Sequence, residues 1–156
     1  MHSVWEKIDN LFQQYNNILI IGIGNPLRSD DKVGLFICDN LKETNKIKTL
    51  KIESSIERYI FTINRLKNDA IIMIDAADIR KEPGKFDLIE IEKFTDTTWH
   101  THNVSLKKIA SQFLQKTTWI LGIQPQSISI GENLTSKVKK TAKLIIKNFN
   151  LLSKKY

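Results

Sequence analysis

The chain has 156 residues, one cysteine and a formal net charge of +7, from 24 Lys plus Arg against 17 Asp plus Glu. Such a length suits one domain that buries about two-thirds of its unfolded surface, with no metal or disulfide staple needed for stability; a single cysteine excludes an internal disulfide and fits a reducing cytoplasm. Hydrophobic content of 41% and charged content of 26% are ordinary for a soluble globular protein, no apolar run approaches the roughly 20 residues that cross a bilayer, and the charged start "MHSVWEKIDNLFQQY" does not read as a signal peptide.

Val4, Ile8, Leu11 and Phe12 recur at helical spacing and predict a short accessory helix over residues 3–15. Residues 18–23 are a β-branched apolar run, which predicts a strand buried on both faces. The glycine-bearing stretch "GIGNPLRSDDKVG" comes next, then Val33, Phe36, Ile37 and Leu41 mark a helix from about Asp31 to Glu43. Cys38 falls on its apolar pattern and reads as a small buried hydrophobe. Residues 47–53 predict a weaker strand, and Ile56, Ile60, Ile63 and Leu66 a helix capped by Ser54 or Ser55. "DAIIMID", 69–75, is a second strand of the doubly buried kind. Pro83 and Gly84 make a turn before "FDLIEIE", whose alternation predicts a more exposed strand at an edge. A loop over 93–102 leads to a helix in "NVSLKKIASQFL", capped by Asn103. "TWILGI", 118–123, is a further buried strand, and Leu134–Leu152 a long terminal helix. Much of the positive charge lies on that helix, at Lys137, Lys139, Lys140, Lys143 and Lys147, and reads as a solvated face; no arginine-rich or aromatic-interleaved motif suggests nucleic acid.

Strands alternating with helices predict one α/β domain over 1–156. It is a three-layer sandwich: a mostly parallel twisted sheet flanked by helices, with one antiparallel edge strand. Ligands of such sheets sit beyond the carboxyl ends of the strands. The polar residues there are Gly22, Gly24, Asn25, Asp30 and Asp31 after the first strand, Asp75 and Asp78 after "IIMI", His100, His102 and Asn103 beyond the edge strand, and Gln124 with Pro125 after the last. Carboxylate and imidazole dominate, with Arg28 as the cation. A nucleotide site fits poorly. Leu27 stands where G-x-G-x-x-G needs its third glycine, and two aspartates at a helix start repel phosphate. A serine hydrolase fits poorly too, since no G-x-S-x-G elbow is present. Aspartate oxygen with neutral imidazole nitrogen suits a first-row divalent metal, and one His with two Asp leaves coordination positions open. Helix capping by Asp31 and loop bracing by Asp75 remain alternatives at this level.

"GIGNPLRSDDKVG", "IIMIDAAD" and "THNVSL" followed by "WILGIQP" together resemble, in order, the three motifs of the hydrogenase maturation endopeptidases, closest to the hydrogenase 3, formate-hydrogenlyase-type branch. The resemblance implies an aspartyl-type endopeptidase that clips the C-terminal tail from a nickel–iron hydrogenase large-subunit precursor in the cytoplasm. It implies a catalytic and nickel-reading triad of Asp31, Asp75 and His102, with the nickel carried by the substrate. It also implies a turn at Gly22, Gly24, Asn25 and Asp30 that meets the substrate chain, and a monomer that engages neither nucleic acid nor membrane. Whether the metal polarises the scissile carbonyl, activates water, or only positions the tail stays open, as does a non-enzymatic nickel and precursor chaperone. Lys32 departs from the motif, which has glycine there, and places a cation able to pair with Asp30 or compete with the metal.

Overall fold

The backbone of the computed structural model is described for residues 2–95, 106–114 and 116–156. Helix α1, Val4–Gln14, leads into β1, Ile18–Ile23; a 3-10 turn over Ser29–Lys32 then runs into α2, Val33–Asn40. Strand β2 spans Ile47–Ile52, and a second 3-10 turn, Ile56–Tyr59, precedes α3, Ile60–Arg65. Strands β3, Ala70–Ala76, and β4, Phe86–Glu90, come next, then α4, Leu106–Ala110, β5, Thr117–Ile123, and α5, Ser136–Lys155. The sheet order is β2-β1-β3-β5-β4. The first four strands of that order pair in parallel, and β4 closes the edge antiparallel to β5.

Strand alternation splits the core into two layers. Ile18, Ile20, Ile72, Ile74, Leu121 and Ile123 face α1, α2 and α5 on one side. Leu19, Ile21, Ile23, Ile71, Met73 and Ile120 face α4 and the segments around Ile56 and Ile63 on the other. The expected three-layer α/β sandwich with its antiparallel edge is therefore the observed fold.

Helix α1, the expected N-terminal helix, packs into this core. Ile8, Leu11 and Phe12 are buried, Phe12 packs on Phe149 of α5 with ring centroids 5.1 Å apart, and Trp5 meets Phe86 of β4 edge-on at 5.1 Å. Both of its ends are satisfied. Glu6 N–H donates to the Ser3 hydroxyl at 3.1 Å while Ser3 N–H donates to the Glu6 carboxylate at 2.8 Å, a capping box. At the other end the buried Lys46 ammonium donates to the carbonyls of Phe12 at 3.1 Å and Tyr15 at 2.8 Å, where the helix dipole favours a cation.

Several boundaries differ from the sequence-based expectation, the following three among them. The helix expected from Asp31 begins as a 3-10 turn, and its α-helical part ends at Asn40, whose side chain donates back to the Phe36 carbonyl at 2.8 Å. Ser55 does occupy the cap position before Ile56, but its hydroxyl donates to the Glu57 carboxylate instead of accepting a backbone N–H, and the second segment also opens as a 3-10 turn. "FDLIEIE" leaves the sheet at Glu90, where Ile91–Lys93 winds into a 3-10 turn that buries Ile91. The expected cap Asn103 lies outside the described residues. Among the described residues, no helix is long and apolar enough to cross a membrane.

Cys38 faces the sheet from α2, its thiol donating weakly to the Ile20 carbonyl at 3.8 Å. Burial pushes its pKa up to about 12. The reactive thiolate is therefore scarce at every pH below that value. Neutral-pH alkylation is expected to leave folded protein unlabelled and to modify Cys38 at the rate of a free thiol in urea; mass spectrometry of the two samples checks this, and rapid labelling without denaturant would contradict it.

Candidate active site

The loop between β1 and α2 is shaped by three close approaches. A Cβ built on Gly22 would stand 2.2 Å from the Gly34 carbonyl oxygen and 2.8 Å from the Cys38 sulfur. One on Gly24 would stand 2.1 Å from the Asp31 carbonyl oxygen, and one on Gly34 would stand 2.3 Å from the Ile74 carbonyl oxygen. These glycines let α2 lie against β1 and β3 and fold the chain at Asp31 back onto the end of β1. Gly34 thus supplies the helix–strand packing for which a dinucleotide fingerprint uses its own third glycine. The Gly24 N–H already donates to the Ile52 carbonyl at 3.2 Å, and the Asn25 side chain accepts from Leu27 N–H at 2.9 Å. The Gly24 amide and the Asn25 side-chain oxygen are thus engaged within the protein, while both residues line the cleft described below.

Asp30 and Asp31, adjacent in sequence, part company here. Asp30 points inward and is fully buried. Its carboxylate accepts from Gln126 N–H at 2.8 Å, Ser127 N–H at 3.1 Å, Thr135 N–H at 2.8 Å and the Thr135 hydroxyl at 2.8 Å. Donors on this scale offset the cost of burying a charge. They fasten the segment between β5 and α5 to the motif turn. Lys32 does not pair with Asp30; its ammonium donates to the Glu132 carbonyl at 3.3 Å. Ser29 bends the turn with φ of 28°, a strained conformation for a non-glycine residue, and its hydroxyl holds the Asn133 carbonyl at 2.8 Å.

Asp31 and Asp75 come to the same edge of the sheet. Asp31 sits in the turn beyond β1 and is 2% exposed; Asp75 is the penultimate residue of the neighbouring strand β3 and is 0% exposed. The segment Ser29–Lys32 packs against β3. Asp31 also lines a cleft of about 560 Å³, with Ile23, Gly24, Asn25 and Arg28 on one wall and Glu53, Ser54, Ile56 and Glu57 on the other. Ile109 of α4 and Ile128 of the segment before α5 complete it. The hydrogen bond from Ser55 holds the Glu57 carboxyl below its ordinary value. The cleft therefore carries three carboxylates and one guanidinium among aliphatic side chains. His100 and His102 lie outside the described residues, as does any cluster they complete; among the described residues no group of three metal-ligating side chains stands together. Asp78 and Gln124 brace the loop after β3: Asp78 accepts from Arg80 N–H at 3.0 Å, and Gln124 from Ile79 N–H at 2.8 Å.

The family model for "HycI: Hydrogenase maturation protease" matches residues 39–150. A Methanocaldococcus jannaschii protein, named provisionally as a hydrogenase maturation protease, is 32% identical over 136 residues, 79% of this chain and 80% of the relative. The chain belongs to the hydrogenase maturation protease family. The hydrogenase 3 maturation protease of Escherichia coli K12 is 24% identical over 126 residues, covering 78% of this chain and 81% of that one. The crystal structure of a [NiFe] hydrogenase maturation protease from Thermococcus kodakarensis superposes with a TM-score of 0.83 at 24% identity, covering 95% of this chain and 99% of that one, and shares its fold.

The cleft opens at the carboxyl ends of β1 and β2. Its second wall escapes a reading of the sequence that treats β2 as a weak strand. Glu53, Ser54 and Ser55 directly follow β2, so the strand-end rule selects them once β2 is counted as a parallel member of the sheet.

Proposed function

We propose that this peptidase removes the C-terminal tail of a nickel-loaded [NiFe] hydrogenase large-subunit precursor, with Asp31, Asp75 and His102 reading the nickel that the precursor carries. The observation that carries the reading is that the turn bearing Asp31 packs against β3, the strand that bears Asp75 near its carboxyl end, while Asp31 lines a cleft. Family membership supports the substrate, and three motifs in order support the triad. Nickel takes both carboxylate oxygen and imidazole nitrogen, so two aspartates and one histidine complement ligands that the precursor already supplies. An open and incomplete site suits this task, because a closed one would strip the metal or fill before the precursor arrives.

The cleft residues divide the work. Gly24 and Ile23 form a floor against which an extended chain lies close, and Ile56, Ile109 and Ile128 exclude water around it. Asp31, at the cleft wall, is within the region where it either helps hold the nickel or accepts a proton from the attacking water. Cys38 is no candidate nucleophile: it is buried beneath α2, and its thiol stays protonated. We place the enzyme in the cytoplasm as a monomer, since a large folded precursor has to reach one open edge of the sheet.

The test compares purified precursor with and without nickel. Tail release, followed by mass spectrometry, is expected from the nickel-loaded form alone. Equal cutting of nickel-free precursor would remove the nickel-reading role of the triad while leaving the peptidase.

A further inference from the structure

Two loops at the mouth of the cleft are joined in a way that the chemistry of peptide cleavage does not require. The stretch Asn25–Arg28 and the stretch Ser127–Gly131 meet through an antiparallel bridge between Arg28 and Ile130, and Gly131 N–H donates to the Leu27 carbonyl at 2.8 Å. Asp30 N–H donates to the Ser127 carbonyl at 3.0 Å, directly behind the bridge. Along this paired rim three aliphatic side chains stand in solvent: Leu27 at 67% exposed, Ile128 at 48% and Ile130 at 71%. A short loop has no folding reason to hold three large apolar groups outward, and grouped exposed aliphatics mark an interaction site.

We propose that this rim is an apolar lip that seats the folded body of the hydrogenase precursor while its tail enters the cleft. The inference rests on the endopeptidase reading and adds the surface that selects the partner. Continuity with the cleft decides the occupant. Arg28 and Ile128 belong to both lip and cleft wall, so any protein covering the lip also covers the cleft mouth. A second copy of this chain there would shut the enzyme, whereas the precursor must occupy lip and cleft together. The lip is also preorganised. The Asp30 carboxylate, the Ser29 hydroxyl and the Lys32 ammonium all hold the same segment, at Gln126, Ser127, Thr135, Asn133 and Glu132. Little freedom is then lost on docking, which raises the affinity obtained from a few contacts.

Steady-state cleavage of nickel-loaded precursor by the Leu27→Ser/Ile130→Ser double variant tests the lip. KM is expected to rise about tenfold or more with kcat within about twofold of wild type, the pattern of lost docking. The double variant Leu27→Met/Ile130→Val keeps the apolar surface and is expected to keep the wild-type KM. Leu151→Ser, an exposed position far along α5, should change neither constant. An unchanged KM in the serine variant, or a fall in kcat alone, overturns the proposal. A serine double variant that fails to melt cooperatively is replaced by its two single variants, each expected to raise KM about threefold. Failure of the wild type to release any tail would instead sink the endopeptidase reading, and the lip with it.

Discussion

Asparagine in place of Asp75 is expected to lower kcat/KM for tail release by about 10³-fold or more, equivalent to about 4 kcal/mol of transition-state stabilisation. The same is expected of Asp31→Asn. Both residues belong to the proposed triad and both are buried, so in that role their carboxylates would act in a setting that water screens poorly. Asparagine keeps the volume and planarity of aspartate but loses the negative charge, and its amide is a poor nickel ligand. Asp75 is the penultimate residue of a central strand held between β1 and β5, so a volume-conserving change should leave the fold in place. Thermal unfolding of each variant is expected within a few degrees of wild type. Tail release measured by mass spectrometry decides the matter: a well-folded Asp75→Asn enzyme keeping a tenth of wild-type activity would exclude that carboxylate from the chemistry. His102→Ala probes the third proposed member in the same assay.

Alanine at Gly34 carries the largest expected effect on stability. The added methyl would stand 2.3 Å from the Ile74 carbonyl oxygen, 2.8 Å from the Ile23 carbonyl oxygen and 2.9 Å from the Ile23 nitrogen. All three are backbone atoms of central strands, so no rotamer change relieves them, and α2 must lift from the sheet. Overpacking a core commonly costs about 1–3 kcal/mol, and a clash against three backbone atoms belongs at or above the top of that range. A loss of at least ~3 kcal/mol is a large share of the ~5–15 kcal/mol by which such domains are stable. In urea, the midpoint for Gly34→Ala should fall sharply or the protein should be recovered insoluble. Gly131→Ala is the contrast. Its φ of 81° is unfavourable for alanine, but nothing lies within 4 Å of the new carbon, so a local cost of about 1–2 kcal/mol is expected. A Gly34→Ala midpoint close to that of wild type would mean that helix and sheet are less tightly apposed than these distances require.

Local chemistry carried much of this protein in its sequence. The run Ile18–Ile23 is a central strand at both expected ends, because a β-branched segment apolar at every position suits a sheet covered on both faces. The alternation of Phe86–Glu90 marks an edge, and the helical periodicity of Ile145, Phe149 and Leu152 marks the buried face of α5. Short-range logic of the same kind selects Asp31 and Asp75 as strand-end residues, and they lie where that logic places them.

What only the tertiary structure decided concerns groups whose partners are far away in the chain. Nothing local distinguishes Asp30 from Asp31, yet donors 96, 97 and 105 residues later turn the first inward and leave the second at the cleft. The close crossing of α2 over β1 and β3 depends on Gly22 and Gly34 meeting across two elements. The segment between β5 and α5 is tied to the motif turn because a buried carboxylate needs donors, and Gln126, Ser127 and Thr135 supply them. Periodicity and capping are properties of neighbours along the chain, so they are legible without a fold; satisfaction of a buried charge and close passage of two backbones depend on which distant segments meet.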